Sequence, residues 1–247
     1  MNDAARISIV TILEQYGKFI DDCASHNVHA RATALQEQKL AEIPPRIAQM
    51  KGYKAQAIAR QDEGQANLFF HFQCMLRSME SSLQVWLAVK DGKPEKGWTH
   101  LVDAQEYKDV ALLTHDVEGV RAHEPQLLAM EHALFPHAPL FNSAGFVESI
   151  GNCSICAAPF STCDHIENFV YMGRLCRRVN RKFIEATHAA LVKNPRDRRC
   201  VITKSSNDAG RMIDRFTLED VGPKTSDGGD AMMIEAILMT FVELDLD

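Results

Sequence analysis

Three cysteines and a histidine crowd into the thirteen residues CSICAAPFSTCDH (153–165), and nothing else in the chain limits its local backbone as tightly. Thiolate and imidazole donors converge on one ion in a tetrahedron, and two cysteines spaced C-x2-C wrap a single ion only through a tight knuckle. Cys153 and Cys156 supply that pair. Cys163 and His165 supply a second after six intervening residues, with Pro159 turning the chain back between them. Gly151 and Asn152 suit an irregular entry. The segment is therefore expected to bind Zn2+ through Cys153, Cys156, Cys163 and His165. Cys176, in YMGRLC, is the alternative ligand if a helix beginning near Gly173 presents it to the same ion. Its plain reading is a small buried apolar residue. Cys23, Cys74 and Cys200 read as core, and the uneven clustering argues against a disulfide framework.

A catalytic zinc keeps an open position beside three protein ligands and has a carboxylate nearby as base. Here four or five soft donors can close the coordination sphere, so the ion is expected to hold structure. The alternative is a zinc hydrolase or nuclease using Asp164 or Glu167. The His165-Ile-Glu167 triplet follows the C-x2-C instead of preceding it, which is the wrong order for a zinc deaminase. No P-loop, G-x-G-x-x-G, G-x-S-x-G or H-E-x-x-H occurs.

Ahead of the cluster the chain reads as helices. Ile7, Ile9, Val10, Leu13, Tyr16, Phe19 and Ile20 recur at three- and four-residue steps, and 29–61 is rich in Ala, Gln, Lys, Arg and Glu. Pro44-Pro45 is expected to end one helix there and open the next. The strongest stripe runs from Asn67 to Val89, through Leu68, Phe69, Phe72, Met75, Leu76, Met79, Leu83, Trp86 and Leu87. Asp91-Gly92-Lys93-Pro94 stops it. A partner helix follows over Glu95–Leu113, and another over about Val117–Leu134 despite Pro125. The piece WLAVKDGKPEKGWTHLVDAQ (86–105) resembles a tetratricopeptide-like helical hairpin, but no repeat period recurs, so a bundle of hairpins is the plainer reading.

Charge is uneven. Between Met172 and Arg199, nine basic residues face two acidic ones, a local +7 that leaves −13 on the rest of a chain whose total is −6. Arg174, Arg177, Arg178, Arg181, Lys182, Arg196, Arg198 and Arg199 are candidates for binding an anionic partner, either a protein or a nucleic-acid backbone. The other reading is a basic face that meets the protein's own acidic half. The overall charge lacks the basic footprint of a dedicated DNA binder.

The runs C-S-I-C, C-D-H and Y-M-G-R-L-C together resemble a small zinc-binding module of bacterial and phage-associated proteins, similar in its knuckle to treble clefs and zinc ribbons. The likeness covers about 145–200 and implies metal binding. Downstream, Ala190-Leu-Val-Lys-Asn-Pro195 resembles the S-L-V-x-x-P strand that carries the nucleophile in phage prohead serine proteases. Ala190 stands at the serine position, so that mechanism has no nucleophile; the similarity implies only a strand.

These readings give a mainly α chain: a helical-hairpin bundle over 1–138 and a small α+β zinc module over 139–204 with a basic helix from about Arg174. Residues 205–247 form a linker and an end that folds back on the body. Ser205–Gly210 and Gly222–Gly229 read as turn-forming or disordered, and the end MMIEAILMTFVELDLD fits a helix or a short strand. The expected function is that of a non-enzymatic, zinc-containing interaction protein. No apolar run is long enough to span a bilayer, and the start MNDAARISIV lacks the basic region of a secretory signal. A cytoplasmic protein is expected, and its helical grooves leave room for a homo-oligomer.

Overall fold

The apolar stripes become five helices, α1 (Ile9–His26), α2 (Thr33–Ala59), α3 (Glu63–Lys90), α4 (Pro94–Leu112) and α5 (Glu118–Leu134). They belong to a computed structural model that describes residues 8–115, 118–134, 139–223, 231–240 and 243–247. Ile7, the Phe135-Pro136 stop, 224–229 and the pair Phe241 and Val242 lie outside the described residues.

Helix α3 is the axis of the bundle. Asp62 caps its first turn by accepting from the Gln65 amide at 3.0 Å. Phe69, Phe70, Phe72, Met75, Leu76, Met79 and Leu83 are all buried along it, against α1 and α2 on one side and α4 on the other. The α3–α4 turn has the expected chemistry: Gly92 takes a left-handed φ of 68°, and Pro94 opens α4 where a missing N–H costs nothing. The proline pair in α2 behaves otherwise. Pro44 and Pro45 lie inside one continuous helix, so the expected break is absent. Ile43, Ile47 and Met50 are buried on both sides of the pair, and that packing outweighs the two lost backbone hydrogen bonds.

After Leu134 the described elements are nearly all strands. These are β1 (Phe141–Glu148), β2 (Asn152–Cys153), β3 (Val170–Tyr171), β4 (Arg174–Leu175), β5 (Arg178–Val179), β6 (Phe183–Val192), β7 (Ile202–Ser206), β8 (Arg211–Asp214), β9 (Asp220–Pro223) and β10 (Ile234–Ala236). The fold is therefore mixed, not mainly α. Among the described residues of this half the only helical turn is a short 3-10 one at Phe160–Thr162. The helix expected from Arg174 is replaced by β4 and β5, because Met172 and Gly173 both adopt left-handed φ, 48° and 69°. Two such residues in succession make a tight hairpin turn.

The sheets are small. Antiparallel β1 and β6 form a two-stranded ribbon, and β2 with β5 continues it into the cysteine module. Strand β6 contains the Ala189–Val192 stretch expected to be a strand and extends it back to Phe183. A four-stranded antiparallel sheet runs β10-β7-β8-β9. The boundary drawn after residue 204 falls inside β7, and the turn expected around Ser205–Gly210 narrows to the β7–β8 connection.

Two apolar clusters join the halves. One packs Trp98, Leu101, Leu127 and Met130 of the helices with Phe141, Val201 and Phe216 of the strands. The other draws Leu175 and Leu246 into the α1–α3 core, so the C-terminal end does fold back on the body. Arg199, only 3% exposed, spans the junction with its guanidinium on Asp103 and Glu106 of α4 and on Asp197. No described helix is long and apolar enough to cross a membrane.

Candidate metal centre

The cysteine segment is shaped by backbone geometry before any ion is considered. Gly151 has a φ of 78°, and a Cβ there would stand 2.4 Å from the Val179 carbonyl oxygen, so only glycine fits where β2 begins. Cys153 pairs with Arg178 across β2–β5. The chain then turns sharply: the Ala157 amide donates to the Cys153 carbonyl at 2.9 Å, and Ala157 itself is left-handed at 61°. The Ile155 amide points at Cys153 Sγ (3.3 Å), and the His165 amide at Cys163 Sγ (3.2 Å). Each N–H···S contact favours a thiolate at its acceptor.

The result is convergence. Donor atoms of Cys153, Cys156, Cys163 and His165 all lie within 4.8 Å of one another, close enough to hold a metal ion. Cys156 Sγ and Cys163 Sγ are 3.5 Å apart, and Cys163 Sγ is 3.2 Å from His165 Nδ1. Tyr171 orients the histidine: the two rings meet edge to face at 4.8 Å, and the tyrosine hydroxyl accepts from the Ile166 amide at 3.0 Å. Packing around the knuckle is thus what this aromatic does.

Cys176 comes to the same place by another route. The β3–β4 hairpin, not a helix, delivers it, with its amide donating to Phe169 and its carbonyl accepting from Asn168. It is fully buried, and its sulfur lies 3.8 Å from Cys153 Sγ. The hairpin tip is docked onto the start of α3, where Gly173 N–H donates to Asn67 Oδ1 at 2.8 Å and Met172 N–H to Glu63 Oε1 at 3.2 Å. Nothing in the sequence near Glu63 and Asn67 signals that role.

The thiols are electrostatically linked. Burial opposes ionisation of Cys153, but amide donors and the neighbouring thiols overcome it and bring the group down to about 6. Burial and the adjacent cysteines push Cys163 up to about 11 and Cys176 up to about 12. The first thiolate therefore resists the second, and a cation among them removes that penalty. The two carboxylates considered as catalytic bases are placed differently. Glu167 accepts from Arg178 Nε at both oxygens (3.0 and 3.2 Å), whereas Asp164 is exposed. Cys23, Cys74 and Cys200 are buried, as expected.

The eight basic candidates do not form one face. Arg178 pairs with Glu148 and Glu167, and Arg181 with Glu148. Arg198 pairs with Glu131, and Arg199 is buried among three carboxylates. These four meet the protein's own acidic groups. Arg174, Lys182 and Arg196 are exposed, and Arg177 points into a cavity beside the module. The long-range acidic partners, Glu131 and Glu148 above all, carry no local sequence signal.

No protein-family model, curated protein or solved structure matches the chain.

Proposed function

We propose that the protein is a non-enzymatic interaction protein in which zinc fixes the cysteine module and the β1–β6 ribbon presents a docking surface to a protein partner. Zinc is favoured by the donor set: three thiols with an imidazole or a fourth thiol are the soft, tetrahedral ligands it prefers. Bonds of about 2.3 Å to sulfur imply tetrahedral edges of about 3.8 Å, and the Cys156–Cys163 and Cys153–Cys176 separations are 3.5 and 3.8 Å. Cys153, Cys156 and Cys163 are common to either set, and His165 or Cys176 supplies the fourth donor. A closed sphere leaves no position for substrate, and Glu167, held by Arg178, is a poor base.

The observation that carries the docking role is the ribbon's exposure. Residues 183–189 of β6 are all exposed, with Phe183 at 52% and Ile184 at 62%, and Val147 and Ile150 on the neighbouring strand and its end are exposed as well. Large apolar side chains left exposed along one ribbon are a feature of interaction surfaces. Arg174, Lys182 and Arg196 are the exposed cations left to engage an acidic rim. With half of the basic candidates already neutralised internally, a protein is favoured over a nucleic-acid backbone.

The test is zinc analysis of the natively expressed full chain together with recovery of its bound partner. The Phe183→Ser/Ile184→Ser variant should keep one zinc and lose the partner. Recovery that survives this variant but is abolished by nuclease, or by charge reversal at Arg174, Lys182 and Arg196, would show a nucleic-acid binder instead. A sample containing no zinc would defeat the metal assignment.

A further inference from the structure

Between α4, β1, the cysteine module and the C-terminal end lies a cavity of about 650 Å3, inside the size range of small-molecule sites. Its apolar wall is made by Val110, Leu113, Phe146, Leu175 and Met239. The charged groups around it are mostly spoken for. Glu106 and Asp197 are held by Arg199, Glu148 and Glu167 by Arg178 and Arg181, and Asp109 by Lys108. Exposed Glu243 is the one lining carboxylate without an ion-pair partner among the described residues. Two lining cations, Arg177 and Arg196, also have none.

Arg177 is the informative one. Its Nε is buried and has no hydrogen-bond partner among the described residues. Its Nη1 makes one contact, to the Leu244 carbonyl, at 3.4 Å, the long end of the hydrogen-bond range. Its backbone is fixed, with the amide donating to Ser154 Oγ at 2.9 Å, so the side chain is anchored at its base. The guanidinium has no carboxylate partner among the described residues, and its planar set of N–H donors matches a planar or tetrahedral oxyanion. We propose that this cavity binds a small amphipathic oxyanion, an organic carboxylate or phosphate, with its charged group on the Arg177 fork and its apolar body against α4 and β1. Asn142 of β1, buried at the same cavity, donates to the Leu238 carbonyl and so ties the β1 wall to the C-terminal segment. The cavity shares strand β1 with the ribbon, where Phe146 of its wall packs on Phe183, but binding at Arg177 does not require the docking role.

The test uses the zinc-loaded full chain and two fluorescent probes that share their rings and differ in charge: anilinonaphthalene sulfonate and phenylnaphthylamine. Each should bind saturably at one site. Arg177→Gln should weaken the sulfonate by about tenfold or more and leave the neutral amine unchanged. Ala144→Phe, which fills the cavity from β1, should weaken both. Arg177→Lys keeps the charge without the fork and should give an intermediate loss, which preserves the test if the glutamine variant misfolds. Displacement of the sulfonate by octanoate or by octyl phosphate would support the site and tell a carboxylate from a phosphate ligand. Displacement by neither, an equal effect of Arg177→Gln on both probes, or no saturable binding would overturn the proposal.

Discussion

The Trp98 indole donates a hydrogen bond of 2.8 Å to the backbone carbonyl of Arg198, a hundred residues further along the chain. The same arginine lays its guanidinium over the Trp98 and Phe141 rings and reaches Gln105 and Glu131. One residue, Arg198, thus ties α4, α5 and β1 together at the edge of the second apolar cluster. Trp98→Phe keeps most of the packing and removes the donor, so it should cost about 1–3 kcal/mol. Trp98→Ala should cost about 3–5 kcal/mol. Urea unfolding measured by circular dichroism decides both, and equal stability of the phenylalanine variant would show that the hydrogen bond contributes nothing.

Removing the metal should act on the strand-rich half first. Helices α1–α5 have their own core, whereas the module's short β2–β5 and β3–β4 pairs cannot hold four converging donors alone. Chelation, or Cys153→Ser, should leave the helical signal nearly intact and expose 150–182 to limited proteolysis. An unchanged cleavage pattern after complete chelation would argue against a structural ion.

The fourth ligand can be identified by substitution. With His165 in the sphere, His165→Asn should lower metal affinity steeply while Cys176→Ser costs only packing; with Cys176 in the sphere the order reverses. Cobalt replacement adds an independent readout, because the d–d bands of a three-sulfur, one-nitrogen site differ from those of a four-sulfur site. Retention of full affinity by both single variants would mean that each donor can replace the other.

Gly151→Ala should damage the knuckle without touching a ligand. The left-handed φ and the 2.4 Å approach to the Val179 carbonyl leave no room for a methyl group. A loss of at least about 1–3 kcal/mol is expected, with a matching drop in metal affinity. Normal melting of this variant would show that β2 can shift to accept a side chain.

Burial, opposed in part by the Gln126 side chain, brings His123 down to about 4. Its Nε2 lies 3.1 Å from Ser78 Oγ, whose own hydrogen goes to the Ala104 carbonyl, and Lys108 adds like charge nearby. The unfolded chain takes up this proton near the ordinary value of about 6.5, before the folded one does. The contribution of neutral His123 is therefore complete above that pH and is lost as the pH falls toward 4, by about 3 kcal/mol at the lower end. Comparing wild type with His123→Gln at pH 7 and 4.5 isolates it, since other acid-sensitive groups are common to both. A constant difference between the two proteins would contradict the assignment.

The local features were legible in the sequence, because their causes are local. A 3.6-residue apolar period defines a helix by itself, so the α3 stripe and its Gly-Pro turn into α4 could be read directly. The spacing of Cys153, Cys156, Cys163 and His165 likewise brings its donors together through one short turn of chain. What the tertiary structure decided depends on partners far away in sequence. Core burial of Ile43 and Ile47 kept α2 whole through two prolines, and the left-handed Met172–Gly173 pair, seated on Asn67, made a hairpin where a helix was expected. The basic run looked like one surface only until Glu131, Glu148 and Asp103 were placed against it. Charge density can be counted along a chain, but which charges remain free is fixed by the three-dimensional pairing.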